Sequence, residues 1–117
     1  MNKSGWFIAA IVWTIFLLFA CFTPGSGEPG GFLTWIPHFD KFLHFVLFLI
    51  WTYAFLNWKS DASIKIWIVI IVTGLDLAIA TELIQAYFIP FRKGDVLDVL
   101  ADLLGIFGGF YLAYRKL

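Results

Sequence analysis

Apolar residues gather into four long runs, at positions 6–22, 42–58, 64–89 and 96–114, with most polar residues near their ends or between them. At 1.5 Å per helical residue, each run is long enough to cross a hydrocarbon core of about 30 Å, given some tilt or local thinning. The runs are continuous and too long for the roughly 10-residue alternating strands of a membrane barrel, so the pattern predicts four transmembrane helices. The breaks agree with that count. PGSGEPGG at Pro24 to Gly31 cannot continue a helix, and Lys59 to Ser63 is a short polar hairpin turn. Pro90 and Gly94 stop the third helix before the fourth begins.

Orientation is read from Lys and Arg, which are retained on the cytoplasmic side of span ends. One face carries Lys3, Lys59, Lys65, Arg115 and Lys116, the other Lys41, Arg92 and Lys93. The bias predicts an all-α, four-helix integral membrane bundle with both termini in the cytoplasm. Trp6, Trp58 and Trp67 then fall at the inner boundary and Trp35 and Tyr87 at the outer one, where amphipathic rings belong. The first run follows Lys3 and precedes a Pro-Gly turn, as a signal peptide would, and LFAC at Leu18 to Cys21 loosely resembles a lipoprotein cleavage box. Its uninterrupted length exceeds a signal core of about 7 to 15 residues, so it is expected to remain as a span.

Composition strengthens this picture. Only 14% of the 117 residues are charged and 62% are hydrophobic, against roughly a quarter charged in a soluble domain. A single domain covering 1–117 is too short to bury all of its Phe, Trp, Ile and Leu side chains in its own interior, so lipid must cover the surplus. The expected location is the cell membrane, as a multi-pass protein. The formal net charge is zero, so no bulk field draws the chain to nucleic acid. One cysteine, Cys21, excludes an intramolecular disulfide and a multi-cysteine zinc site.

Ionisable side chains are expensive in hydrocarbon, at least about 2.5 to 3.5 kcal/mol each on insertion scales, so their positions point to function. Asp40, Lys41 and His44 open the second helix, and Glu82 and Gln85 approach the end of the third. Arg92 and Asp95 lie in the third loop, and Asp98 and Asp102 enter the fourth helix. All nine are expected at the outer ends of their spans and form the candidate ligand-binding set. Asp95, Asp98, Asp102, Gly105 and Gly109 recur at alternating intervals of 3 and 4, which places them on one stripe of a helix. The glycines would let another helix approach closely, within the bundle or in a homo-oligomer built through Gly105 and Gly109.

Two helix N-termini beside the cluster, with Arg92, Lys93 and Lys41, would attract an anionic headgroup or phosphate. Structural roles stand beside these: Asp40 and Asp95 occupy good N-cap positions, and Arg92 with Asp95 or Asp98 would make a loop-fixing ion pair. Asp76, near the middle of the third helix, has no assigned role; facing the bundle, it would bond Thr73 or a neighbouring helix. His44, Glu82, Asp98 and Asp102 have chemistry that suits several cations. No ligand signature such as HExxH accompanies them, and neither a metal nor another cofactor is expected.

DKFLHF at Asp40 to Phe45, ELIQ at Glu82 to Gln85, Pro90-x-Arg92, Gly94-Asp95, and DVLADLLG at Asp98 to Gly105 together resemble the VanZ-like membrane protein family. TPG at Thr23 to Gly25 is similar too. The resemblance extends over nearly the whole chain and implies about four transmembrane helices. The family is named for a protein linked to low-level resistance to the glycopeptide teicoplanin and has no established biochemical activity, and the resemblance does not imply that this chain confers resistance. Carried over by position, the family's polar pattern falls on Asp40, Lys41, His44, Glu82, Gln85, Arg92, Asp95 and Asp98. Position 102 departs from it: the family usually has Asn there, and Asp102 adds a negative charge that calls for a proton or a nearby cation.

The favoured expectation is an envelope protein with a polar outer cleft that binds an anionic lipid, a lipid-linked cell-wall precursor or a glycopeptide. The alternative is a membrane enzyme modifying a lipid-linked headgroup, with His44, Glu82 or Asp98 as catalytic candidates for acid/base work. A proton-coupled carrier ranks last, supported only by Asp76 and Glu82 inside the third helix.

Overall fold

The computed structural model describes residues 1–22, 39–89 and 96–116, and these form four helices in chain order: α1 (Lys3–Phe22), α2 (Phe39–Trp58), α3 (Ile64–Phe88) and α4 (Val96–Tyr114). Each is long and apolar enough to cross a membrane. Two helices start earlier than their apolar runs. Asn2 accepts a hydrogen bond from the Gly5 amide at 2.8 Å and so caps α1 ahead of its first apolar residue. Asp40 sits inside the first turn of α2 rather than at its N-cap, where its charge still favours the positive end of the helix dipole.

The side-chain partners give the helix directions. Trp13 Nε1 donates to the Leu47 carbonyl at 2.8 Å, and Trp6 packs edge-on against Tyr53 at 5.5 Å, so α1 and α2 run antiparallel. The turn between α2 and α3 is closed by Ala62 N to Lys59 O at 3.0 Å and by Trp67 Nε1 to the same carbonyl at 2.8 Å. α2 and α4 run parallel and share the most extensive interface in the bundle.

Glycine makes that interface so close. A β-carbon on Gly105 would collide with the Phe45 carbonyl oxygen, and one on Gly109 would lie 2.5 Å from the Leu49 carbonyl oxygen and 2.9 Å from Thr52 Cβ. Backbone therefore meets backbone, which side chains would forbid. Of the two neighbours expected for Gly105 and Gly109, the structure shows the one within the bundle, α2 of the same chain.

Leu17, Phe48, Trp51, Leu56, Ile70, Ala78 and Ile106 fill the core. The opposite faces stay apolar and exposed, with Ile8, Val12, Ile15 and Phe19 on α1 and Leu97, Leu104, Phe107 and Tyr111 on α4. At the hairpin end, Lys3 pairs with Asp61 and holds its carboxyl below the usual carboxylate range. A lowered pKa makes the pair's contribution complete above the ordinary aspartate value of about 3.9, and the contribution is lost as acid protonates Asp61. Both groups are exposed, so Asp61→Asn is expected to leave the thermal midpoint at neutral pH unchanged; a clear drop in the melting curve would contradict this.

Candidate functional site

The inward stripe of α4 begins with Asp98 and Asp102, which are 5% and 0% exposed, and continues through Gly105 and Gly109. Because the glycines press α4 onto α2, the aspartates one turn earlier meet the residues that open α2. His44 Nδ1 donates to Asp102 Oδ1 at 2.8 Å, and His44 Nε2 faces Asp98 Oδ2 at 3.7 Å. Lys41 Nζ reaches Asp98 Oδ1 and Asp40 Oδ2, each at 3.4 Å. α3 contributes Glu82, which is buried, and one ligand atom from each of His44, Glu82 and Asp98 lies within 4.8 Å of the others.

Gln85, one turn beyond Glu82, is 2% exposed and donates through Nε2 to the Cys21 carbonyl at 2.7 Å. That carbonyl belongs to the last turn of α1, where the helix has no acceptor-satisfying amide of its own. Gln85 therefore ties the end of α1 to α3. It also lines a cavity of about 70 Å³ with Asp40, His44 and Cys21. On the other side, Glu82 lines a mostly apolar groove of about 240 Å³ between α3 and α4, together with Ile79, Tyr87, Val96 and Val99.

Asp40, Lys41, His44, Glu82, Gln85, Asp98 and Asp102 thus share one end of the bundle, as their spacing suggests. Arg92, Lys93 and Asp95, and with Arg92 any pair it makes to Asp95 or Asp98, lie outside the described residues, as do Trp35 and the Pro24 to Gly31 turn. Asp98 Oδ1 and Asp102 Oδ2 have no hydrogen-bond partner among the described residues.

Asp76 departs from expectation. It is exposed on the outer face of α3, and Thr73 donates its hydroxyl to the Val69 carbonyl at 2.8 Å instead of to Asp76. With Glu82 buried and Asp76 outside, the two carboxylates do not form one relay within the bundle. The carrier reading loses its support.

Sequence reasoning missed a cavity of about 410 Å³ at the opposite end, lined by Trp6, Asn57, Trp67 and Lys116 among others. There Lys116 donates to Asn57 Oδ1 at 2.8 Å and lies 5.3 Å from the ring centres of both Trp6 and Tyr53. Its only sequence signal was Asn57, a polar residue beside Trp58 at a helix end. It is larger than the space beside His44 but has none of the buried acids, so the chemistry, not the volume, identifies the candidate site. Compared with models of known families, with curated proteins and with solved structures, the chain matches none.

Proposed function

We propose that the chain is a VanZ-like integral membrane protein of the cell envelope whose polar end binds an acidic headgroup. That headgroup belongs to an anionic lipid, a lipid-linked cell-wall precursor or a glycopeptide such as teicoplanin. One observation carries the reading: an imidazole, three carboxylates and an amide from three helices are buried together at one end of a bundle with an apolar exterior. Packing alone does not call for such a set, because well-packed apolar residues in place of buried ionic groups are often neutral or stabilising.

The groove between α3 and α4 supplies a route from the lipid side, apolar along its walls and carrying Glu82 among them. The N-termini of α2 and α4 and Lys41 add positive potential at this end. Arg92, which precedes α4 in the sequence, is the further cation assigned to the headgroup. By the distribution of Lys and Arg this end faces outward, with both termini in the cytoplasm. Labelling of Ser60→Cys by a membrane-impermeant thiol reagent on intact cells would reverse that orientation.

Native mass spectrometry of protein extracted with its own lipids tests the binding. An acidic lipid or lipid-linked precursor is expected to stay with the wild type and to be depleted at least tenfold in Lys41→Ala and Arg92→Ala, with both variants still folded. Equal retention by both would remove the headgroup site.

A second reading rests on the His44–Asp102 contact at 2.8 Å. A carboxylate holding an imidazole in one tautomer is how enzymes orient a general base. On that reading His44 acts on a lipid-linked headgroup at its second nitrogen. A product formed from total envelope lipids by the wild type and missing with His44→Ala would establish it; no product from any extract leaves binding as the function.

A further inference from the structure

The polar end sets several buried carboxylates beside the anion just assigned to it. Glu82, Asp98, Asp102 and Asp40 gather there, with Lys41 Nζ 3.4 Å from an oxygen of Asp98 and of Asp40 and with His44 against Asp102. An acidic headgroup entering this set meets carboxylates first. The geometry around His44 resolves the conflict.

Asp102 accepts from Nδ1, and a neutral imidazole then presents its lone pair at Nε2. That lone pair faces Asp98 Oδ2 at 3.7 Å. The distance is too long for a hydrogen bond, yet it is what two ligands of one ion subtend. At metal–ligand bonds of about 2.0 to 2.2 Å, such pairs lie roughly 3 to 4.3 Å apart. Glu82 completes a triangle whose edges are all within 4.8 Å, so side-chain adjustments of well under 1 Å bring three donors onto a common centre. Asp102, fully buried, stands behind the imidazole as the carboxylate partner that metal-binding histidines almost always have. Asp98, 5% exposed, has Oδ1 buried with no hydrogen bond among the described residues, where Lys41 Nζ lies 3.4 Å from it as an ion-pair partner.

We propose that His44 Nε2, Asp98 and Glu82 form a divalent-cation site for an ion of the Mn²⁺ or Zn²⁺ class, with Asp102 orienting His44. The inference rests on reading the cluster as a ligand site and adds what holds the ligand. One imidazole and two carboxylates suit these borderline cations better than Ca²⁺ or Mg²⁺, which favour all-oxygen sets. Three protein donors leave coordination positions open. The neighbouring cavity of about 70 Å³, lined by His44, Asp40 and Gln85, has room for about two waters. The ion converts an acid-lined pocket into one that attracts an anion, and it bridges the protein to the acidic oxygen of the bound molecule.

Full-length protein, stripped with chelator and returned to detergent or nanodiscs, is titrated with Mn²⁺ while free ion is followed by its paramagnetic resonance signal. One ion per chain is expected, displaced by Zn²⁺. Affinity should fall at least tenfold in Asp98→Asn, Glu82→Gln and His44→Gln, and stay within twofold of wild type in the exposed control Asp61→Asn. Asp102→Asn should bind 10- to 100-fold more weakly, the effect of losing an orienting partner. The wild-type titration stands whether or not a variant folds. Folded wild type that takes up neither Mn²⁺ nor Zn²⁺, or binds either one equally well in all four cluster variants, would overturn the site and leave His44 as an imidazolium between carboxylates. Lipid retention measured in parallel separates the two ideas. Retention unaffected by chelator with no ion bound removes the metal and keeps the headgroup; an ion bound without any retained lipid does the reverse.

Discussion

Gly105→Ala is expected to cost about 3 kcal/mol or more of stability, read by unfolding in mixed micelles with tryptophan fluorescence. One methyl group is a small change, but here it lands on main chain. The added carbon meets the Phe45 carbonyl oxygen and lies 3.0 Å from the Leu49 nitrogen, both held in α2 by its own hydrogen-bond ladder. Neither can rotate away, so α4 must retreat, at or above the upper end of the 1 to 3 kcal/mol typical of overpacking. Gly109→Ala should behave alike, for the same reason. Gly108→Ala is the internal control: its β-carbon would lie 3.2 Å from Leu49 Cδ1, the end of a flexible side chain. There the roughly 1 kcal/mol by which alanine favours helix over glycine should offset the contact. Equal stability of the Gly105→Ala and Gly108→Ala variants would mean that the close α2–α4 approach is not what holds the bundle. Because Asp102 lies one turn before Gly105, a retreat of α4 also draws the carboxylate away from His44, and ligand retention should fall with stability.

Helix number, order and approximate extent are legible in the chain because burial in lipid imposes uninterrupted apolarity over a length set by the bilayer. The starts are less so: Asn2 caps α1 and Phe39 begins α2 among polar residues, where hydropathy carries no signal. Spacing on α4 foretells that Asp98, Asp102, Gly105 and Gly109 face inward, since a charged stripe continued by glycines has one favourable orientation. It cannot say which helix they meet. A small-residue pair serves equally for a neighbour in the same chain or in another copy, and the choice of α2 depends on carbonyl oxygens that every sequence has. The His44–Asp102 bond is hidden for the same reason, as its partners are 58 positions apart and their register follows from glycine packing. Asp76 eluded the pattern because α3 is apolar on all sides and offers no polar face from which to infer which way a lone carboxylate points.

The largest functional effect is expected at the dyad, where stability and binding should part company. His44→Leu removes the nearest partner of a fully buried carboxylate. An uncompensated buried charge costs about 3 to 5 kcal/mol when its partner is deleted, so this variant should unfold far more readily than wild type. In His44→Leu/Asp102→Ala the stranded charge is gone and the combined side-chain volume nearly kept. Apolar replacement of both members of a buried polar pair is commonly neutral, so most of the lost stability should return. Binding should not. Metal uptake and lipid retention are expected to be absent in the single and the double variant alike, because Nε2 is missing from both. If the pair served the fold, the double variant would stay as unstable as the single one, and the polar end would be a structural network. Recovery of stability without recovery of binding would identify His44 and Asp102 as residues kept for the ligand at a cost to the bundle, an outcome that packing alone does not produce.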